Sequence, residues 1–147
     1  MESVKTTPDD RRRFQVLGVP VDACRDVSVA AVGLHASGGG RIVTLNAEMT
    51  MRARVQPDLG HAIATAELVI PDGAGVVWAL SRQGVRVMRS PGIELAWNLL
   101  GYAAAHQWSV ALVGASPEVM QRLQVGLPER FPGLQLVLCV DGYRPEA

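Results

Sequence analysis

A chain of 147 residues, 48% hydrophobic and 19% charged, can bury the core of one domain and is far from the composition of a disordered chain. Its 14 basic side chains match 14 acidic ones, so no overall field draws it to nucleic acid, and only local patches remain open to charged partners. Cys24 and Cys139 are the only cysteines and stand far apart without a CxxC partner, which argues against a disulfide framework or a cysteine-based zinc site and fits a reducing cytoplasm.

The opening MESVKTTPDDRRRFQ is polar where a secretory signal would be apolar. Residues 1–13 are expected to form a flexible tail, with Arg11–Arg13 solvated behind Asp9 and Asp10, and one domain is expected over 14–147. FQVLGV (Phe14–Val19) reads as the first strand, VSVAAVGLHA as a helix and SGGG (37–40) as a turn. RIVTL (Arg41–Leu45) is the second strand, followed by NAEMTMRARVQ and PDLGHAIATA as helices. ELVIP (Glu67–Pro71) is the third, with DGAGVVWALSRQG as its helix.

PGIELAWNLLGYAAAHQ then reads as the helix before SVALVG (Ser109–Gly114). Leu95 to Pro117 lacks Asp, Glu, Lys and Arg and is long enough to be weighed as a membrane span. Asn98, His106, Gln107 and Ser109 interrupt it, and a helix followed by a strand accounts for it better. SPEVMQRLQVGLPERF is a helix with Ser116 as N-cap and Pro117 at its first position, and LQLVLCV (Leu134–Val140) is the last strand. Only DGYRPEA follows, so that strand is expected to lack a covering helix. Strand–helix alternation with short apolar strands predicts an α/β fold: an open, mostly parallel Rossmann-like sheet with helices on both faces.

Ligands of open parallel sheets bind beyond the carboxyl ends of the strands, and three of those ends are polar here: TLNAEM, PDGAG and GASPE. Asn46, Asp72 and Ser116 each suit a helix cap, and Gly73, Gly75 and Gly114 each suit a tight turn. DGAG is not the GxGxxG fingerprint and no Walker lysine is present, so neither nucleotide class is specifically indicated. His35, His61 and His106 share no ligand spacing; Trp78, Trp97 and Trp108 read as core or rim, and Met49 and Met51 as packing residues.

Taken together, TLNAEM, PDGAGVVW, RSPGIEL, VALVGASPE and DGY, in this order, resemble the TagA/WecG/CpsF glycosyltransferases, glycosyltransferase family 26, from about Phe14 to Tyr143. The resemblance implies inverting transfer of N-acetylmannosamine or a related sugar from a UDP-sugar donor to a polyprenyl-diphosphate-linked acceptor in cell-surface polysaccharide synthesis, without cofactor or catalytic metal. It implies a cytoplasmic enzyme, with peripheral contact at the inner face of the plasma membrane and homo-oligomerisation both open. Inverting transfer needs a base for the acceptor hydroxyl, and Asp72 is the candidate. Arg89 matches the family's arginine assigned to the donor diphosphate. Thr44 and Asn46 match residues lining the sugar and acceptor pocket; Gly73, Gly75, Gly114 and Ser116 are expected to bind substrate through turns and helix starts.

Pro91 and Glu94 stand where relatives more often carry a small residue and Asp, and DGYR replaces their H-G-Y-F. Relatives also continue for about another third, with a G-x-P-x-Q-E segment that helps bind UDP, so the chain is expected to lack that C-terminal part. Two other readings stay open at this point: a nucleotide- or small-molecule-binding module without chemistry, and a non-catalytic interaction protein whose sheet edge pairs with a partner.

Overall fold

The described residues open on a hairpin where a single strand is expected. In a computed structural model, which describes residues 11–143, β1 (Arg12–Val16) and β2 (Val19–Ala23) pair antiparallel, with Phe14 opposite Val21 and Val16 opposite Val19. Leu17 (φ 52°) and Gly18 (φ 81°) both take left-handed conformations, as a two-residue hairpin loop matched to strand twist requires. FQVLGV is thus one strand plus a turn. Arg12 and Arg13, expected in the tail, are strand residues, and the expectation for residues 1–10 lies outside the described ones.

The reason is electrostatic. Asp22 on β2 is 1% exposed, and both of its oxygens accept from Arg13, from Nε at 2.8 Å and from Nη2 at 2.8 Å. Its Oδ2 also accepts from the backbone N–H of Val69 at 2.7 Å, which ties the hairpin to the next strands. Arg13 Nη2 donates further to Ala66 O at 3.0 Å, and Arg11 Nη1 to Glu67 O at 2.7 Å. The hydrogen bonds to Asp22 hold the Arg13 guanidinium protonated above the ordinary arginine range, with partial burial opposing them. Because that value is raised in the fold, the guanidinium's own share of the stabilisation is lost only as pH rises through the arginine range.

Residues up to Leu95 form one unit and those from Ala96 a second. In the first, β3 (Ile42–Leu45) and β4 (Leu68–Pro71) run parallel in the register Ile42↔Leu68 to Leu45↔Pro71. All four β4 residues are buried, which is why LVIP carries no alternation. Around them stand α1 (Val27–Ala36), α2 (Ala47–Ala53), α3 (Pro57–Ala64) and α4 (Ala74–Arg82). Asp26 caps α1 by accepting from Ser28 N and Val29 N, and Pro57 opens α3. The core joins Val16, Val21, Leu45, Ile63, Val69 and Leu80, so the hairpin contributes to it directly.

In the second unit, β5 (Ser109–Val113) and β6 (Gln135–Val140) are also parallel, with a bulge between Val110 and Ala111. α5 (Gly92–His106) and α6 (Pro117–Arg130) supply Ala103 and Leu127 to a cluster with Leu134, against which Val110, Leu112 and Phe131 pack. β5 alternates, with Ala111 and Val113 exposed, and Val137 and Leu138 of β6 are exposed as well. The charge-free stretch from Leu95 divides into helix and strand, and among the described residues no helix is long and apolar enough to cross a membrane. The class is α/β with open sheets, among the described residues three of two strands each, two parallel and one antiparallel.

Arg13 is 39% exposed at its side chain and can turn to water if Asp22 is changed, whereas Asp22 cannot. Arg13→Met should therefore cost about 3 kcal/mol, the lower end for a buried charge left unpaired. Asp22→Asn, which still accepts from Val69, should cost about 1–2 kcal/mol. Urea unfolding of both variants checks the order, and a larger loss in Asp22→Asn would contradict it.

Candidate functional site

The carboxyl ends of β3 and β4 lie side by side. Leu45 is opposite Pro71, and Leu45 O accepts from the backbone N–H of Asp72 at 3.0 Å and of Gly73 at 3.5 Å. Two successive strand-to-helix turns, Asn46 into α2 and Gly73 into α4, are thereby pressed together. A Cβ on Gly73 would sit 3.2 Å from Asn46 Cβ, and one on Gly75 3.2 Å from Ala47 Cβ. Gly73 has φ −95°, an ordinary value. These two glycines therefore serve close approach of neighbouring strand-to-helix turns, without a left-handed backbone. Gly114, at φ 120°, does take a conformation that favours glycine, and Ala115 follows at φ 60°.

The three expected caps separate here. Asn46 caps α2, its Oδ1 accepting from Met49 N at 2.8 Å. Ser116 caps α6 with a longer bond, Val119 N to Oγ at 3.4 Å, and its hydroxyl together with the backbone N–H of Glu118 holds the Glu118 carboxyl below the usual range. Asp72 caps nothing. The N-cap of α4 is Gly73, with no side-chain cap, and Asp72 stands one position before it, half-buried. A carboxylate thus sits at a strand end without the duty that its residue type most often performs at such a place.

A third segment closes on this strand end. Ser90 N donates to Pro71 O at 2.9 Å, so the exposed Arg89 is one residue from a backbone contact with the strand that carries Asp72. Two residues on, Gly92 starts α5 against Thr44: a Cβ there would meet Thr44 Cγ2 at 2.6 Å and Thr44 Cβ at 3.1 Å. Thr44, Asn46, Asp72, Gly73 and Gly75 are gathered with the backbone of 89–92 in the first unit. Gly114 and Ser116 belong to the second, where Gly114 N donates to Val140 O at 2.8 Å and Gly142 N to Ala115 O at 2.9 Å.

Ser90, Gly92 and the Leu45 carbonyl are the parts that sequence reading missed. Gly92 carried a signal, a glycine at a helix start directly after Pro91, where a capping residue or a helix former is usual. Chemically, the gathered groups offer one carboxylate able to take a proton and one exposed guanidinium able to meet an anion. Among the described residues no group of three or more His, Cys, Asp or Glu is arranged to hold a metal ion.

The Thr44–Gly92 contact is testable. Gly92→Ala should destabilise by about 1–3 kcal/mol, as overpacking does. Thr44→Ser removes Cγ2, the nearest atom, and should recover part of that loss in the double variant. Chemical denaturation of the four proteins measures the coupling, and strict additivity would contradict the packing argument.

Residues 14–147 match the family described as Glycosyl transferase WecG/TagA/CpsF family.

Proposed function

The chain belongs to the WecG/TagA/CpsF glycosyltransferase family of cell-surface polysaccharide synthesis, and from that premise we propose that it moves N-acetylmannosamine or a related sugar, with inversion, from a UDP-sugar to a polyprenyl-diphosphate-linked acceptor. One observation carries the reading: Asp72 ends a buried parallel strand, half-buried, with its helix capped elsewhere. In this scheme Asp72 takes the proton of the acceptor hydroxyl as that oxygen bonds to the sugar's C1 and the bond from C1 to the diphosphate oxygen breaks. The electron pair leaves with UDP, and Arg89, anchored through Ser90 beside the same strand end, meets the developing charge.

Thr44 and Asn46 border the sugar. Asn46 already accepts from Met49 N through Oδ1, which leaves its amide N–H₂ to donate to a hydroxyl. The acceptor's lipid would bring a cytoplasmic enzyme to the inner face of the membrane as a peripheral partner. Gly114 and Ser116 would be weaker contacts to the nucleotide, because the Gly114 N–H already donates to Val140 O at 2.8 Å and the Ser116 hydroxyl is engaged by the cap and by Glu118.

Asn in place of Asp72 keeps the shape and has no usable lone pair for a proton. Asp72→Asn should lower sugar transfer to a short-chain acceptor analogue by about 10²–10⁴-fold while melting temperature and calorimetric UDP affinity stay near wild type. Equal rates would remove Asp72 from the chemistry.

Arg89→Gln should cost about 10²–10³-fold in turnover, the loss typical of one donor to a developing oxyanion. Arg89 is exposed, so the substitution should leave the fold intact, and melting curves check that. Unchanged turnover would place the diphosphate elsewhere.

A further inference from the structure

The three-arginine run RRR at 11–13 is divided by the strand pleat. Arg11 and Arg13 reach the carbonyls of Ala66 and Glu67 and the Asp22 carboxylate. Arg12, between them, points to the other side of the hairpin, where its guanidinium lies over the Phe14 ring at 5.3 Å. There it lines a cleft of 610 Å³ together with Cys24, Arg25, Gln83 and Arg86. The cleft lies at the far end of α4 from Asp72: Gln83 is the C-cap of this nine-residue helix, about 13 Å along its axis.

Among the described residues no acidic side chain lines this cleft, although the chain as a whole is neutral. Arg12, Arg25 and Arg86 are exposed and have no ion-pair partner among the described residues. Asp26, next to Arg25 in sequence, accepts from Ser28 N and Val29 N through Oδ1 and forms no ion pair with these arginines among the described residues. Three arginines lining one concavity give it a positive field that favours an anion. The planar fork of arginine fits phosphate oxygens two at a time, and Phe14 holds one fork in advance. The volume is that of a small-molecule site and exceeds the needs of a lone phosphate.

We propose that this cleft is a second binding site, separate from the strand ends around Asp72, for a ligand carrying paired phosphate groups. Such groups can come from a soluble diphosphate compound or from the headgroups of an anionic lipid surface. The site is independent of the catalytic reading and would stand if that reading failed.

Cys24 lines the cleft and reports on it directly. In a Cys139→Ser protein, inorganic pyrophosphate should slow maleimide labelling of Cys24 in a saturable way that added salt weakens. Each of Arg12→Gln, Arg25→Gln and Arg86→Gln should raise the half-protecting concentration about tenfold, as loss of one hydrogen-bonded charge contact does. The triple variant should show no protection, with each single variant serving if the triple does not fold. Arg89→Gln should protect as wild type does. A parallel arm uses vesicles containing phosphatidic acid: protection there and not by pyrophosphate identifies the lipid source, and protection by pyrophosphate the soluble one. Absence of protection in both arms, protection undiminished in the arginine variants, or protection abolished by Arg89→Gln would overturn the proposal.

Discussion

The first unit turns on one buried carboxylate. Asp22 is sealed from water, and a charge so placed persists only where donors surround it; Arg13 supplies two and the Val69 N–H a third. The Val69 bond matters most for architecture, because Val69 lies in the strand that leads into Asp72. A hairpin made from nine-residue-separated partners thereby fixes β4 laterally, and the position of Asp72 is set by a strand held on one side by Leu45 and on the other by a carboxylate.

The candidate site depends on how near two turns can come. Glycines at 73 and 75 let the starts of α2 and α4 touch, and Gly92 lets a third segment lie on Thr44. Each missing Cβ brings a backbone closer to the strand ends, so the polar groups of three segments share one small region. The cap at Asn46 fixes its side-chain oxygen, and the absence of a side-chain cap at Gly73 leaves Asp72 available. Local capping chemistry thus separates two residues that look alike in sequence.

The helices were legible because their starts carry local chemistry: Asn46, Pro57 and Ser116–Pro117 stand where the sequence places them. β2 was not, because VPVDA contains a proline and an acid that both argue against a strand, and only Arg13 makes Asp22 tolerable inside one. Arg12 and Arg13 read as tail for the same reason. The polar strand ends were legible from the strand–helix pattern, but which of their residues cap helices was not. Whether Asp72 or Gly73 caps α4 depends on where the helix begins, and a shift of one residue at a boundary is below what sequence pattern resolves.

The fit of Thr44 against Gly92 also bears on how such a site can change over generations. A branched side chain at 44 and a bare backbone at 92 are compatible, but the reverse order of replacement, a side chain at 92 before the branch at 44 is lost, passes through a clash at 2.6 Å. Lineages drifting at these two positions are therefore expected to lose the branch first, and the same residue at 92 will be tolerated in one descendant and purged in another. The packing of a single methyl group imposes a direction on the history of a pocket.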